Sequence, residues 1–166
     1  PVIRCVEPTA CPTLTQGQYR YDFGDTEGLT PLMKMHTLGA RFIPEPIHAG
    51  GLRYHGMAPL VSHVYQLGLV EAIAIPQTEC FTRAIQFARA EGIVPAPEPT
   101  HAIAAAVREA LACRESGEPK VILTALCGHG HLDLASYDKF LHGGMQDLEL
   151  SDEALAEAMR HVPEVA

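Results

Sequence analysis

The apolar run VILTAL, Val121–Leu126, is the feature that most constrains the fold of this chain. It has the length of a strand, and Thr124 is its only polar residue. A strand without polar alternation is expected to be buried on both faces, as in a parallel sheet covered by helices. The run therefore predicts an α/β fold.

The rest of the chain alternates between strand-like and helix-like patterns. Short apolar segments predict strands at Val2–Val6 and Ala72–Ile75, and helical stripes predict four helices, after Pro59, Thr78, the PAPEP loop and Ser151. Thr78 is expected to cap its helix, and Gly68, Gly92 and Gly117 are expected to end the first three. Residues 8–31 and 41–57 predict irregular stretches, and PLMKMHTLG around Lys34 predicts a helix. This order predicts a mostly parallel sheet flanked by helices.

Composition excludes several classes of partner. The net charge is −8 and no basic cluster occurs, so neither nucleic acid nor an anionic membrane surface is expected to bind. No apolar run reaches the roughly 18–20 residues of a membrane-spanning helix. Five cysteines without CxxC spacing predict reduced thiols in a cytoplasmic protein. The first residues already read as a strand, which predicts a piece of a longer protein.

The stretch ALCGHGHLD carries the densest cluster of reactive side chains. Cys127, His129 and His131 would share one face of a strand, and zinc accepts all three. However, the stretch follows a predicted buried strand, where ligands of parallel sheets bind, and its glycines suit close approach of the backbone to a ligand. The sequence therefore favours a small-molecule site over a metal site, with a purely structural loop as a third possibility.

Two other segments have both a functional and a structural interpretation. Glu98 lies between Pro97 and Pro99, which would hold its carboxylate in place for acid–base or electrostatic work. An acidic residue near the start of a helix is also favoured by the helix dipole. The loop Gly50–Pro59 can surround an ion with backbone groups, or simply connect two elements.

Four segments together resemble the C-terminal part of a tryptophan synthase β chain of the second, stand-alone type. They are YDFGDTEGLTPLMKMHTLG, HAGGLRYHGMAPLVS, FARAEGIVPAPEPTHAI and LCGHGHLDLASYDKFL, in the family's order and over nearly the whole chain. The resemblance implies the α/β fold of the fold-type II pyridoxal-phosphate enzymes. It also implies β-replacement, in which L-serine and indole give L-tryptophan and water.

The resemblance gives roles to particular residues. Glu98 matches the acidic residue beside the cofactor ring, and Cys127, with Gly128 next to it, matches the position that hydrogen-bonds the pyridine nitrogen. The family commonly has serine there, and a thiol is a weaker hydrogen-bonding group. Tyr54 and Gly56 match positions whose main-chain carbonyls can hold a monovalent cation.

The family's Schiff-base lysine and phosphate-binding loop have no match here. The only lysines are Lys34, Lys120 and Lys139, and no His-Lys pair occurs. Residues 1–166 are therefore expected to be a single C-terminal, cofactor-binding portion of a two-domain enzyme, inactive without the N-terminal half. A homodimer is implied by the resemblance, and association with an α chain is left open. The alternatives are a naturally short, non-catalytic relative of the fold, or a metal-dependent enzyme using Cys127, His129 and His131.

Overall fold

A pair of strands lies near the start of the chain. In the computed structural model, which describes residues 1–165, β1 (Arg4–Pro8) is hydrogen-bonded to β4 (Glu71–Ile75). The Glu71 amide donates to the Ile3 carbonyl at 2.9 Å, and Arg4 forms an ion pair with Glu71 at 2.9 Å. Because both strands begin at these neighbouring residues, they run in the same direction. Both predicted strands are confirmed with shifted bounds.

A second pair of strands lies where the sequence predicted a loop and a helix. β2 (Gln18–Phe23) and β3 (Leu32–Thr37) form an antiparallel hairpin. β2 interrupts the loop predicted over residues 8–31, which is irregular only at 9–17 and 24–31, and the helix predicted around Lys34 is wrong. Cross-strand contacts that a local pattern does not show favour the hairpin. Thr37 donates to the Asp22 carboxylate at 2.7 Å, with both residues fully buried.

Five α-helices and two short 3-10 helices, Gly50–Leu52 and Gly130–Leu132, complete the described chain. The α-helices are α1 (Pro59–Gln66), α2 (Gln77–Glu91), α3 (Pro97–Ser116), α4 (Leu134–Leu141) and α5 (Asp152–Met159). Gly92 and Gly117 end α2 and α3 with left-handed backbone, as predicted. The predicted Thr78 cap is wrong, because α2 begins after Pro76 and the Thr78 amide donates to Asp147 at 2.9 Å. None of the helices within residues 1–165 is long and apolar enough to cross a membrane.

The described chain consists of two compact units. Unit 1 comprises residues 1–47, 52–74 and the described residues from 148 onward, and contains the hairpin, α1 and α5. Unit 2 comprises residues 48–51 and 75–147, and contains α2, α3 and α4. The core of unit 2 is formed by Phe81, Ala84, Tyr137 and Met145. The α/β class and the flanking helices are confirmed.

The segment Val121–Leu126 does not form the predicted buried strand. It has no regular secondary structure, and Val121 and Leu123 are 99% and 95% exposed. A strand is stabilised by hydrogen bonds to a neighbouring strand. Among residues 1–165, no strand is paired with this segment. Its apolar composition alone therefore does not fix its conformation.

Two buried histidines give the stability of the chain a defined pH dependence. Burial lowers the pKa of His36 and of His101 below the ordinary value near 6.5. Below this pH the unfolded chain therefore binds more protons than the folded chain. The free energy of unfolding falls as the pH falls for this reason. We expect the contribution of these two histidines to the free energy of unfolding to decrease as the pH is lowered from about 7.5 to about 5.5.

The contribution of His101 can be isolated with one variant. His101→Gln should reduce the difference in unfolding free energy between the two pH values, measured by urea denaturation. An exposed control, His63→Gln, should leave that difference unchanged. An equal pH dependence in the chain and in His101→Gln would contradict a role for this histidine.

Candidate functional site

Two short segments of unit 2 pair just before α3. The Ala96 amide donates to the Gly128 carbonyl at 3.2 Å, and the Gly130 amide donates to the Val94 carbonyl at 2.8 Å. Pro95 and His129 form an isolated antiparallel bridge between them. Glu98 follows Ala96 by two positions, and Cys127 directly precedes Gly128. The pairing therefore brings together the two predicted site residues that lie far apart in sequence.

The glycines of the CGHGH stretch are required by this pairing. Gly128 has φ +127°, a conformation that other residues rarely adopt. A Cβ atom at Gly130 would lie 2.5 Å from the Pro95 carbonyl oxygen and 3.1 Å from the Tyr137 ring. The glycines thus allow the backbone to approach other parts of the chain closely, and the predicted approach to a ligand stays a prediction.

Glu98 is the second residue of α3 and is half-buried between two buried prolines. Its Oε1 accepts a hydrogen bond from the Gly51 amide at 2.8 Å. The prolines restrict the backbone, and the amide fixes one oxygen of the carboxylate. The carboxylate is thus held in one position, while its place in the first turn also suits the helix dipole.

Cys127 is exposed at the edge of the paired segments. Its thiol is a weak donor and a weak acceptor of hydrogen bonds. Because it lies on the surface of unit 2, it can meet a group that approaches from outside this unit. It is the one cysteine that lies directly beside the paired glycine loop.

The structure adds three contacts that the sequence did not predict. The Tyr137 hydroxyl donates to the Pro95 carbonyl at 2.5 Å, which fastens the segment before Glu98 to α4. His48 contacts Ser136 and Lys139 of the same helix. No local pattern identifies such partners, which are 42 and about 90 residues apart in sequence.

The two carbonyls assigned to a monovalent cation lie in unit 1. The Tyr54 carbonyl accepts hydrogen bonds from Cys11 Sγ at 3.0 Å and from Thr13 Oγ1 at 2.8 Å. Burial raises the pKa of the Cys11 thiol to about 11, so this thiol keeps the proton that it donates. Gly56 is bridged to Thr37. A cation at Tyr54 would compete with these two donors, and the cation stays a prediction.

The metal-dependent alternative receives no support from the geometry. Within residues 1–165, no group of three or more His, Cys, Asp or Glu side chains could hold a metal ion. His129 Nδ1 accepts a hydrogen bond from the His131 amide at 3.3 Å and caps the short 3-10 turn Gly130–Leu132. His129, which the sequence offered as a metal ligand in this alternative, has a structural role as a cap.

An open groove of about 550 Å³ lies elsewhere on unit 2. It is lined by Thr82, Ile85, Gln86, Arg89, Ala90, Phe140 and Leu141. It contains no carboxylate, thiol or imidazole, and neither Glu98 nor Cys127 contributes to it. The paired segments, which carry such groups, are therefore the better candidate for chemistry.

Comparison with known proteins agrees with the resemblance inferred from the motifs. No protein-family model matches the chain. The tryptophan synthase β chain 2 of Aquifex aeolicus is 64% identical over 145 residues, which are 87% of this chain and 33% of that protein. The corresponding proteins of Methanosarcina mazei and Pyrococcus abyssi are 60% and 55% identical, over 85% and 89% of this chain.

These relatives are all about three times longer than their matching region, since the match covers 32–33% of each. Identity at this level over most of the chain confirms the family inferred from the four motifs. The chain is a homologue of the tryptophan synthase β chains of the second type, a pyridoxal-phosphate family of fold type II, and spans about a third of the length of these relatives.

Proposed function

We propose that this chain supplies one wall of the pyridoxal-phosphate site of a tryptophan synthase β chain, which forms L-tryptophan from L-serine and indole. The observation that carries the proposal is the pairing of residues 94–96 with residues 128–130, which brings Glu98 and Cys127 to one region of unit 2. The motifs that contain these residues are also those that match the family.

The residues present fit one edge of the cofactor. The exposed Cys127 thiol can share a hydrogen bond with a pyridine nitrogen, and a neutral partner there favours an unprotonated ring. Bound pyridoxal phosphate supplies an electron sink for chemistry at the amino acid. Glu98 offers a fixed carboxylate that can take up or give back a proton beside the reacting atoms.

The lysine that carries the cofactor is proposed to come from the two-thirds of a β chain that this chain does not match. The three lysines of the chain have other partners: Lys34 lies over the rings of Tyr19 and Tyr21, Lys120 binds Glu109, and Lys139 contacts His48. The chain by itself is therefore proposed to be inactive. L-Serine, indole, the remaining part of the enzyme and a second copy in a homodimer are the proposed partners.

A chimera tests this function. In it, this chain replaces the matching third of the Aquifex aeolicus β chain, a relative with which it shares 64% identity. The chimera should retain pyridoxal phosphate through dialysis, as seen in its absorbance, as the parent enzyme does. The chain alone should retain none. A chimera that folds but loses the cofactor would favour the alternative, a non-catalytic relative of the fold.

A further inference from the structure

Gly50 and Gly51 of the HAGG stretch have no role in the proposed function. A Cβ atom at Gly51 would lie 3.0 Å from Glu98 Cγ, 3.1 Å from its Oε1 and 3.4 Å from its Cδ. All three nearest atoms therefore belong to Glu98. A Cβ at the neighbouring Gly50 would meet nothing within 4 Å. The two adjacent glycines thus differ in one respect, namely contact with the Glu98 side chain.

Gly51 is held in place by His48, three residues earlier. The His48 amide donates to Gln77 Oε1 of α2 at 3.3 Å, and the His48 ring packs edge-on against Phe81. The ring nitrogens contact Ser136 Oγ at 3.1 Å and Lys139 Nζ at 3.4 Å. Burial and the nearby Lys139 lower the pKa of His48, so the ring is neutral near pH 7.

The tautomer of His48 follows from its partners. An ammonium group only donates, so Nε2 accepts from Lys139, and Nδ1 carries the proton and donates to Ser136. Both ring nitrogens are then satisfied, and Ala49, the next residue, is buried. The backbone that leads to Gly51 is thereby fastened to α2 and α4, the helices of the core of unit 2.

We propose that Gly51 is a positioning residue for Glu98. Its amide holds Glu98 Oε1 at 2.8 Å, and the absence of a side chain lets the carboxylate lie against the backbone. Oε2 has no hydrogen-bond partner among residues 1–165 and stays available to a reacting group. The inference rests on the proposed role of Glu98, because it assigns Gly51 an effect only through that carboxylate.

The physical consequence is a carboxylate with few conformations to lose when the reaction begins. A glutamate on a helix surface samples several rotamers, whereas one whose oxygen is bound by a fixed amide does not. Displacement of a reacting group by about 1 Å can cost roughly 100-fold in rate. The hydrogen bond of Gly51 therefore matters most for turnover and little for the fold.

Nuclear magnetic resonance of this chain tests the contact without any activity. The Gly51 amide proton should resonate downfield, and should move upfield when acid protonates the Glu98 carboxylate. In Glu98→Gln this movement should be lost, because no charge remains on the acceptor. A Gly51 amide signal that is independent of pH in the unsubstituted chain would overturn the inference.

The paired variants Gly51→Ala and Gly50→Ala test the consequence in the chimera. Neither glycine has positive φ, so alanine fits the backbone at both positions. Gly51→Ala should lower kcat by about 10- to 100-fold with little change in KM. Gly50→Ala should match the unsubstituted chimera. Equal turnover of the two variants would also overturn the inference.

Two variants distinguish the positioning role of Gly51 from the catalytic role of Glu98. If Glu98→Ala retains full turnover, the catalytic role of Glu98 is lost, and with it the effect assigned to Gly51. If Glu98→Ala is inactive and Gly51→Ala is fully active, only the positioning role is lost. The amide measurement reports the hydrogen bond in either case.

Discussion

Glu98→Ala is expected to lower tryptophan formation by the chimera by about 100-fold or more. The carboxylate is fixed at the start of α3 by the Gly51 amide and by the buried prolines on either side. A positioned acid or base contributes about 100- to 10,000-fold to such reactions. Cofactor absorbance should remain, because Cys127 and the glycines beside it, which are proposed to meet the cofactor ring, are unchanged.

Two further variants make this prediction specific. Glu98→Gln keeps an oxygen that can accept from Gly51 but removes the charge, so it should also lose most of the turnover while its position is preserved. Glu118→Ala removes an exposed carboxylate and should have no effect. Turnover of Glu98→Ala equal to that of Glu118→Ala would remove Glu98 from the mechanism.

Phe81→Ala is expected to have the largest effect on stability. Phe81 is 1% exposed, and its ring lies 5.0 Å from that of Tyr137 and 5.7 Å from that of Phe140. Truncation of a buried phenylalanine to alanine removes apolar contacts, leaves a cavity and costs about 3–5 kcal/mol. Because Tyr137 also binds the Pro95 carbonyl, loosening this cluster would loosen the paired segments as well.

Urea denaturation of the chain measures this loss as a change in the free energy of unfolding. Leu141→Ala is a suitable control, since Leu141 is 61% exposed and a surface substitution changes stability by about 0.5 kcal/mol or less. A loss for Phe81→Ala no greater than that for Leu141→Ala would contradict the assignment of Phe81 to the core.

Helix positions were largely predictable from the sequence because their signals are local. Apolar stripes identified α1, α2, α3 and α5, and glycines with positive φ ended α2 and α3 as expected. Ser151 caps α5 by accepting from the Ala154 amide at 3.2 Å. Each of these features depends on residues within a few positions of one another.

Strands were predicted less well because their stability depends on distant partners. The hairpin of β2 and β3 is stabilised by the buried pair Asp22 and Thr37, which are 15 residues apart. Lys34 lies over the rings of Tyr19 and Tyr21, at 5.1 and 5.6 Å from their centroids. Conversely, Val121–Leu126 has a strand-like composition and is unpaired within residues 1–165. Composition indicates which conformation a segment prefers, but pairing with a neighbouring strand decides whether it forms a strand.

The sequence predicted residues of the candidate site but not the contacts that bring them together. Motif resemblance indicated Glu98 and Cys127, and the glycines indicated close backbone approach. The hydrogen bond from Gly51 to Glu98 joins residues 47 positions apart, and no periodicity or spacing in the sequence identifies such a contact. The same holds for Tyr137 and Pro95.

The proposed function is tested most directly by tryptophan formation from L-serine and indole by three proteins assayed side by side. They are the Aquifex aeolicus β chain, the chimera that carries this chain in place of its matching third, and this chain alone. We expect turnover by the parent and the chimera, and none by the chain alone. A folded, cofactor-loaded chimera without turnover, or a chain that forms tryptophan alone, would contradict the proposed function.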